Sequence, residues 1–325
     1  MPDGVCQMKM KRNHVLDGLL GACVGDALGV PVEFTPRAAL EASPVTDMLG
    51  MRTPHYQVTG TWSDDSSLMF CLAESLCHGF DLHDIADRIC RWYHENYWTP
   101  HGNVFDVGGT TRMAILRLRQ GVEPTKAGAT GENDNGNGSL MRILPLAYYL
   151  QKIHDAEARV MCVHDVSAIT HAHPRSKIAC SIYIQVALNL LDGATPRTAY
   201  QQMQATIPVF YRNSPHQHEL SAFQRLLAQD ISAVAKNDIR SSGYVVHTLE
   251  ASLWCLLNYA SYQDTVLAAV NLGDDTDTTG AVAGGLAGIY YGVEAIPESW
   301  KARLARKDEI VDLANRLWAS LEQTA

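Results

Sequence analysis

No stretch of the 325 residues alternates apolar and polar side chains at every second position, and no apolar run leads through Asn-Gly into another. A sheet built from hairpins is therefore not expected. Basic charge is scarce: 26 Lys and Arg stand against 35 Asp and Glu, a net charge of -9. A protein that gripped nucleic acid or an anionic membrane non-specifically would need the opposite balance. The eight cysteines (Cys6, Cys23, Cys71, Cys77, Cys90, Cys162, Cys180, Cys255) never form CxxC. Most sit in helix-like apolar patterns as small hydrophobes, and reduced thiols in a cytoplasm are expected.

Long apolar runs are also missing. The stretch Gly280–Tyr291 is too short and too rich in glycine for a bilayer, and the N-terminal MPDGVCQMKMKRNHV lacks the apolar centre of a signal peptide. No composition break and no repeat of 20–50 residues divides the chain. The expectation is one domain over residues 1–325, with 1–12 a flexible N-terminal extension.

What is present is helical periodicity. Val15, Leu16, Leu19, Leu20, Cys23, Val24, Ala27 and Leu28 follow a three-to-four spacing after Asn13, a plausible cap. Similar stripes predict helices over 67–78, 82–97, 111–119, 140–152, 156–170, 175–191, 218–235, 244–259, 264–271, 279–291 and 307–321. With about a dozen helices, the fold class is all-α. Between them lie two long linkers, 34–61 and 121–138, and long loops in a compact domain are usually functional or disordered.

The chemistry-bearing clusters lie between helices. GDALGVPVEF ends a helix near Gly29 and places Glu33 just beyond it. TGTWSDDSS precedes an apolar run, and Ser63 or Asp64 as a cap accounts for one or two of its residues but not for both Asp64 and Asp65. NLGDDTDTTG crowds three aspartates and three threonines into positions 274–279, where Thr276 or Asp277 is a candidate cap. Asp275 and Asp277 would point to nearly opposite sides of a regular helix, so they converge only at an unwound helix start. Several carboxylates gathered there repel one another unless a cation joins them, and an all-oxygen donor set suits a hard ion such as Mg²⁺ or Mn²⁺. A single site shared by the two acidic loops is the preferred reading. NDNGNGSLMR is a glycine-rich loop entering a helix start, suited to phosphate or simply a flexible surface loop. Asp106, in FDVGGTTR, stands before a helix as a cap or a substrate contact. In THAHP, a structural role for His171 outweighs zinc ligation, since no third ligand lies nearby.

Taken in this order, the segments GDALGVPVEF, WSDDSS, FDVGGTTR, GNGSLMR, THAHP and GDDTDTTGAVAGGLAGIYYG resemble the ADP-ribosylglycohydrolase family, over Gly21 to Gly292. The resemblance implies a single compact orthogonal multi-helix bundle with a dinuclear magnesium or manganese site in a cleft. It implies a hydrolase that removes ADP-ribose from modified protein side chains, commonly arginine. By the same resemblance, Ser63, Asp64, Asp65, Asp275, Asp277 and Thr278 are metal ligands. Glu33, Asp65 and Asp106 are catalytic, and Asp106, Asn137, Gly138, Ser139 and His171 contact substrate. An ADP-ribosylated protein is the implied partner, with a cognate ADP-ribosyltransferase as a second; alternatives are a serine, O-acetyl or nucleic-acid linkage, or an immunity protein that binds a toxin. Serine at 63 departs from the usual threonine. Gly109 stands where the nitrogenase-regulating branch commonly has asparagine.

Overall fold

A computed structural model describes residues 12–52 and 54–323; Cys6 and all but one residue of the expected N-terminal extension lie outside them. The exception, Arg12, is tied down, donating to Asp17 Oδ2 at 2.6 Å and to the Ile289 carbonyl at 2.7 Å. The chain runs through α1 (His14–Gly29), α2 (Arg37–Ala42), α3 (Asp64–Leu76), α4 (Leu82–Glu95), α5 (Gly109–Arg119), α6 (Pro124–Ala127), α7 (Pro145–Leu150) and α8 (Ala156–Ala168). It continues through α9 (Pro174–Leu191), α10 (Pro196–Tyr211), α11 (Gln224–Leu227), α12 (Val245–Asn258), α13 (Tyr262–Val270), α14 (Thr276–Tyr291), α15 (Glu298–Lys301) and α16 (Lys307–Gln323). Among the described residues there is no strand, only the isolated bridges Ala129–His171 and Gly136–Tyr244. The all-α expectation holds.

The helix starts follow local chemistry. Asn13 caps α1 by accepting from Leu16 N–H at 3.1 Å, and Ser63 caps α3 through its hydroxyl. Two stripes depart from expectation, and one helix had no stripe assigned to it. The one over 140–152 yields a helix only from Pro145, whose ring suits a first helical position. The one over 218–235 breaks into 3₁₀ turns around the short α11, because buried apolar side chains at helical spacing are equally served by successive tight turns. Helix α10 was not expected at all, and Pro208, which reads as a breaker, lies inside it.

The buried apolar residues form one cluster from Val15 to Leu321, with α1 and α14 at its middle. These two helices touch backbone to backbone. A Cβ on Gly25 would sit 2.0 Å from the Gly280 carbonyl oxygen, and one on Gly284 would sit 2.4 Å from that of Gly21. The small residues after Thr279 allow this approach, and α1 is the partner they admit. The segment His14–Val32 exceeds the apolar stretch noted from sequence and is long and apolar enough to cross a membrane, but 94% of it is buried inside the protein. Thr276 Oγ1 donates to the Gly29 carbonyl at 2.8 Å, so the end of α1 and the start of α14 are held in register. That register brings Glu33 and the 274–279 stretch to one place.

Candidate active site

Three chain segments converge at that place. Ser63 Oγ donates to Asp65 Oδ2 at 3.0 Å, and Thr278 Oγ1 donates to the same oxygen at 3.2 Å, joining the two acidic motifs. Glu33, Asp275 and Asp277 offer carboxylate oxygens within 4.8 Å of one another, and Glu33, His55 and Asp106 form a second such group. No group of this kind among the described residues includes Asp64 or Asp65; Asp65 joins the site through the hydroxyl links, and Asp64 lines the cleft beside it. Asp274 is exposed and stays outside. The residue preceding α14 is Asp275, with no side-chain cap, so neither Thr276 nor Asp277 plays the capping part expected of it.

Burial sets the electrostatics. It lifts the carboxyls of Asp64, Asp65 and Asp277 well above the carboxylate range, and neighbouring acids add to the effect. Burial pushes Glu33 up to about 7, against the opposing hydrogen bond from His55. Asp275 and Asp106 are raised by burial as well. The orphaned atoms are telling: Asp65 Oδ1 and both carboxylate oxygens of Asp277 are buried with no hydrogen-bond partner among the described residues. Buried acceptors are ordinarily satisfied, and three oxygens left open in one oxygen-only cluster fit a hard divalent cation. The acidic groups could hold such an ion.

Above the acids lies a cleft of about 250 Å³, lined by Glu33, Phe34, Asp64, Asp106, Asp275 and Thr278 on the acid side. Gly108–Thr111, Gly136–Gly138 and His171 line it elsewhere. The glycine-rich loop is pinned rather than free: Asn137 N–H donates to the Gly243 carbonyl at 3.0 Å, and Val245 N–H to that of Asn135 at 3.0 Å. A Cβ on Gly138 would lie 2.7 Å from the His171 ring, which explains glycine there. Asn137 spends both side-chain N–H groups, on Asp275 Oδ2 and Thr248 Oγ1, each at 2.9 Å. Its side chain thus steadies Asp275 and offers the cleft only an acceptor. Ser139 turns away entirely; it is fully buried, and its Oγ accepts from Ser167 at 2.9 Å. His171 Nδ1 lies 2.9 Å from Thr170 Oγ1, which already accepts from Arg142. Burial drives His171 down to about 3, so the ring is neutral.

Asp106 is not a cap. Gly108 precedes α5, and Asp106 has a left-handed backbone at φ 52° with its carboxyl turned to Glu33. Sequence reasoning missed two residues of consequence. Asp26 is fully buried and accepts from Ser63 N–H at 2.9 Å, Ser66 N–H at 3.0 Å and Ser66 Oγ at 2.5 Å, so it anchors the start of α3. An acid inside the apolar stripe of α1 was a visible signal. His55, hydrogen-bonded to Glu33 Oε2, carried none, being a lone histidine in a long linker.

An all-helical protein whose cleft is faced by carboxylates and hydroxyls carries side chains suited to cation-assisted chemistry. The model of the ADP-ribosylglycohydrolase family matches residues 8–325, and the chain belongs to that family. It is 32% identical over 309 residues to the ADP-ribosylarginine hydrolase Tri1 of Serratia proteamaculans, covering 92% of this chain and 77% of the relative. It is 30% identical over 310 residues to the ADP-ribosyl-[dinitrogen reductase] glycohydrolase of Rhodospirillum rubrum, covering 92% of each chain. A solved structure described as an ADP-ribosylglycohydrolase-related protein complex superposes with a TM-score of 0.79 at 32% identity, covering 95% of this chain and 98% of the other.

Proposed function

We propose that this protein hydrolyses the bond between ADP-ribose and a protein side chain, with arginine as the linkage. The observation that carries the reading is the tight group of Glu33, Asp275 and Asp277, with both Asp277 oxygens unpartnered among the described residues, at one side of a cleft lined by a glycine loop. The names of the relatives support arginine as the modified residue. Ser63, Asp64, Asp65, Asp275, Asp277 and Thr278 would hold two Mg²⁺ or Mn²⁺ ions. When bound, such ions supply a polarised water and an anchor for sugar hydroxyls.

The chain's own residues do the rest. Glu33, whose carboxyl titrates near 7, is matched to holding and releasing a proton at neutral pH. His55 fixes its rotamer through Oε2, leaving Oε1 for the cleft. Asp106 faces the same point and opposes positive charge that develops on the ribose. Asn137 holds Asp275 in place. Gly136 and Gly138 let a diphosphate approach the backbone, and the neutral His171 ring lies beside them. Seven described cysteines without disulfides support a cytoplasmic setting. The partner is an ADP-ribosylated protein, and a cognate ADP-ribosyltransferase is the source of its modification. The acidic balance argues against nucleic-acid or membrane partners.

The test is release of ADP-ribose from arginine- and serine-modified peptides, with Mg²⁺, Mn²⁺ or chelator. Release from arginine only, and only with metal, is expected. Release from serine alone would overturn the linkage, and equal rates in chelator would overturn the metal site.

A further inference from the structure

Phe34 is unusual among the residues lining the cleft. It is 63% exposed with φ of 59°, and both features oppose folding: an aromatic ring is left in water, and a bulky residue is held in a left-handed conformation. The conformation is imposed from outside. Phe34 N–H donates to the Asp274 carbonyl at 2.6 Å, and Asp274 N–H donates to the Thr35 carbonyl at 3.0 Å. Asp274 is left-handed as well, at φ 58°, and directly precedes Asp275. The ring is therefore stationed by the same backbone that carries the acids, next to Glu33. Its nearest aromatic neighbour is the His55 ring, tilted 53° with centroids 6.4 Å apart, which leaves most of Phe34 open.

We infer that Phe34 is the platform for the leaving side chain: the planar guanidinium of the modified arginine lies on its ring, with the Glu33 and Asp106 carboxylates as counter-charges. This rests on the arginine reading above. A bond cleaved at the acid group must have its sugar on one side and its arginine on the other. Phe34 is built into the acid side by two backbone hydrogen bonds, while the glycine loop is built against His171 and Gly243. A guanidinium is flat, permanently charged and weakly hydrated, so an aromatic face beside carboxylates suits it better than an ammonium or a hydroxyl. A serine linkage would present nothing to stack.

The experiment uses the full chain with Mn²⁺ and an arginine-ADP-ribosylated peptide. Phe34→Ala should raise KM about tenfold, the size of a partly desolvated cation–π contact, with kcat within about twofold, since the cation is bound in ground and transition states alike. Phe34→Trp should restore KM. Phe34→Gly should lose KM as alanine does while melting no lower than wild type, because glycine accepts the left-handed backbone; this separates stacking from misfolding. Inhibition by free ADP-ribose should be unchanged in all three. An unchanged KM in Phe34→Ala, or a matching loss of ADP-ribose inhibition, overturns the inference while leaving the arginine reading intact. A wild-type protein that does not cleave the arginine peptide overturns that reading, and the inference with it.

Discussion

Thr278 Oγ1 and Asp65 Oδ2 lie 3.2 Å apart, although their residues are 213 positions apart in sequence. This contact fastens the first turn of α14 to the first turn of α3, and it places a hydroxyl between two acidic motifs that would otherwise repel. Around it, Asp65 Oδ1 and both Asp277 oxygens stay unpartnered among the described residues. The geometry favours a cation more than it favours the metal-free protein.

Asp277→Asn should therefore raise the melting temperature of chelated protein while abolishing the rise that Mg²⁺ or Mn²⁺ brings to wild type. Asparagine spares the folded metal-free protein the cost of either burying the Asp277 charge or taking up a proton, and a lost ligand removes the mass-action gain. Hydrolysis should fall by about a hundredfold or more. Thermal denaturation with and without metal, alongside the peptide assay, checks both halves; a variant that still gains stability from metal sinks the assignment of Asp277.

Asp26→Ala should cost about 3 kcal/mol, because it strips the Ser63 and Ser66 N–H groups of a buried charged acceptor. Asp26→Asn should cost less, since one acceptor oxygen remains. Urea unfolding of the two variants reads the difference. Equal, negligible losses would mean that α3 needs no anchor from α1.

Gly25→Ala should destabilise by about 3 kcal/mol or prevent folding, since its Cβ would lie 2.0 Å from a carbonyl oxygen that cannot move without shifting α14. Gly109→Ala is the control. Nothing lies within 4 Å of a Cβ there, so its melting temperature should stay within about 2 °C of wild type.

One part of the pH dependence of metal-free stability follows from Glu33, raised from an ordinary 4.5 to about 7 by burial. Between those values the folded state holds a proton that the unfolded state has released. The Glu33 contribution to stability therefore falls as pH rises from about 4.5 to about 7 and is flat above, while the other raised acids of the site add falls of the same sign. The slope per group is at most about 1.4 kcal/mol per pH unit. Glu33→Gln should flatten the Glu33 share of this fall. Melting curves of chelated wild type and variant across pH 4–8 test it; parallel profiles would rule Glu33 out as their source.

Helix α1, the acid pairs at 64–65 and 275–277 and the small residues after Thr279 were legible in the sequence, because amphipathic spacing, excess charge at a helix start and loss of side-chain volume are local properties. The break-up of 218–235 was not, since α-helical and 3₁₀ turns bury the same stripe. Asn137 and Ser139 share one motif, yet one steadies Asp275 and the other faces the core. That division depends on Thr248 and Ser167, which come from distant helices.

The sequence by itself determined the fold class, the family and the types of side chain available for chemistry, because periodicity and motif order are written along the chain. Tertiary structure alone decided that Asp26 anchors α3, that His55 holds Glu33 and that Phe34 is forced open beside the acids. Each of these is a contact across a turn or between helices, and even where the residue stands out, as Asp26 does in an apolar stripe, its partner has no local signature. Their positions depend on how closely α1 and α14 approach, and two glycine contacts in space set that distance.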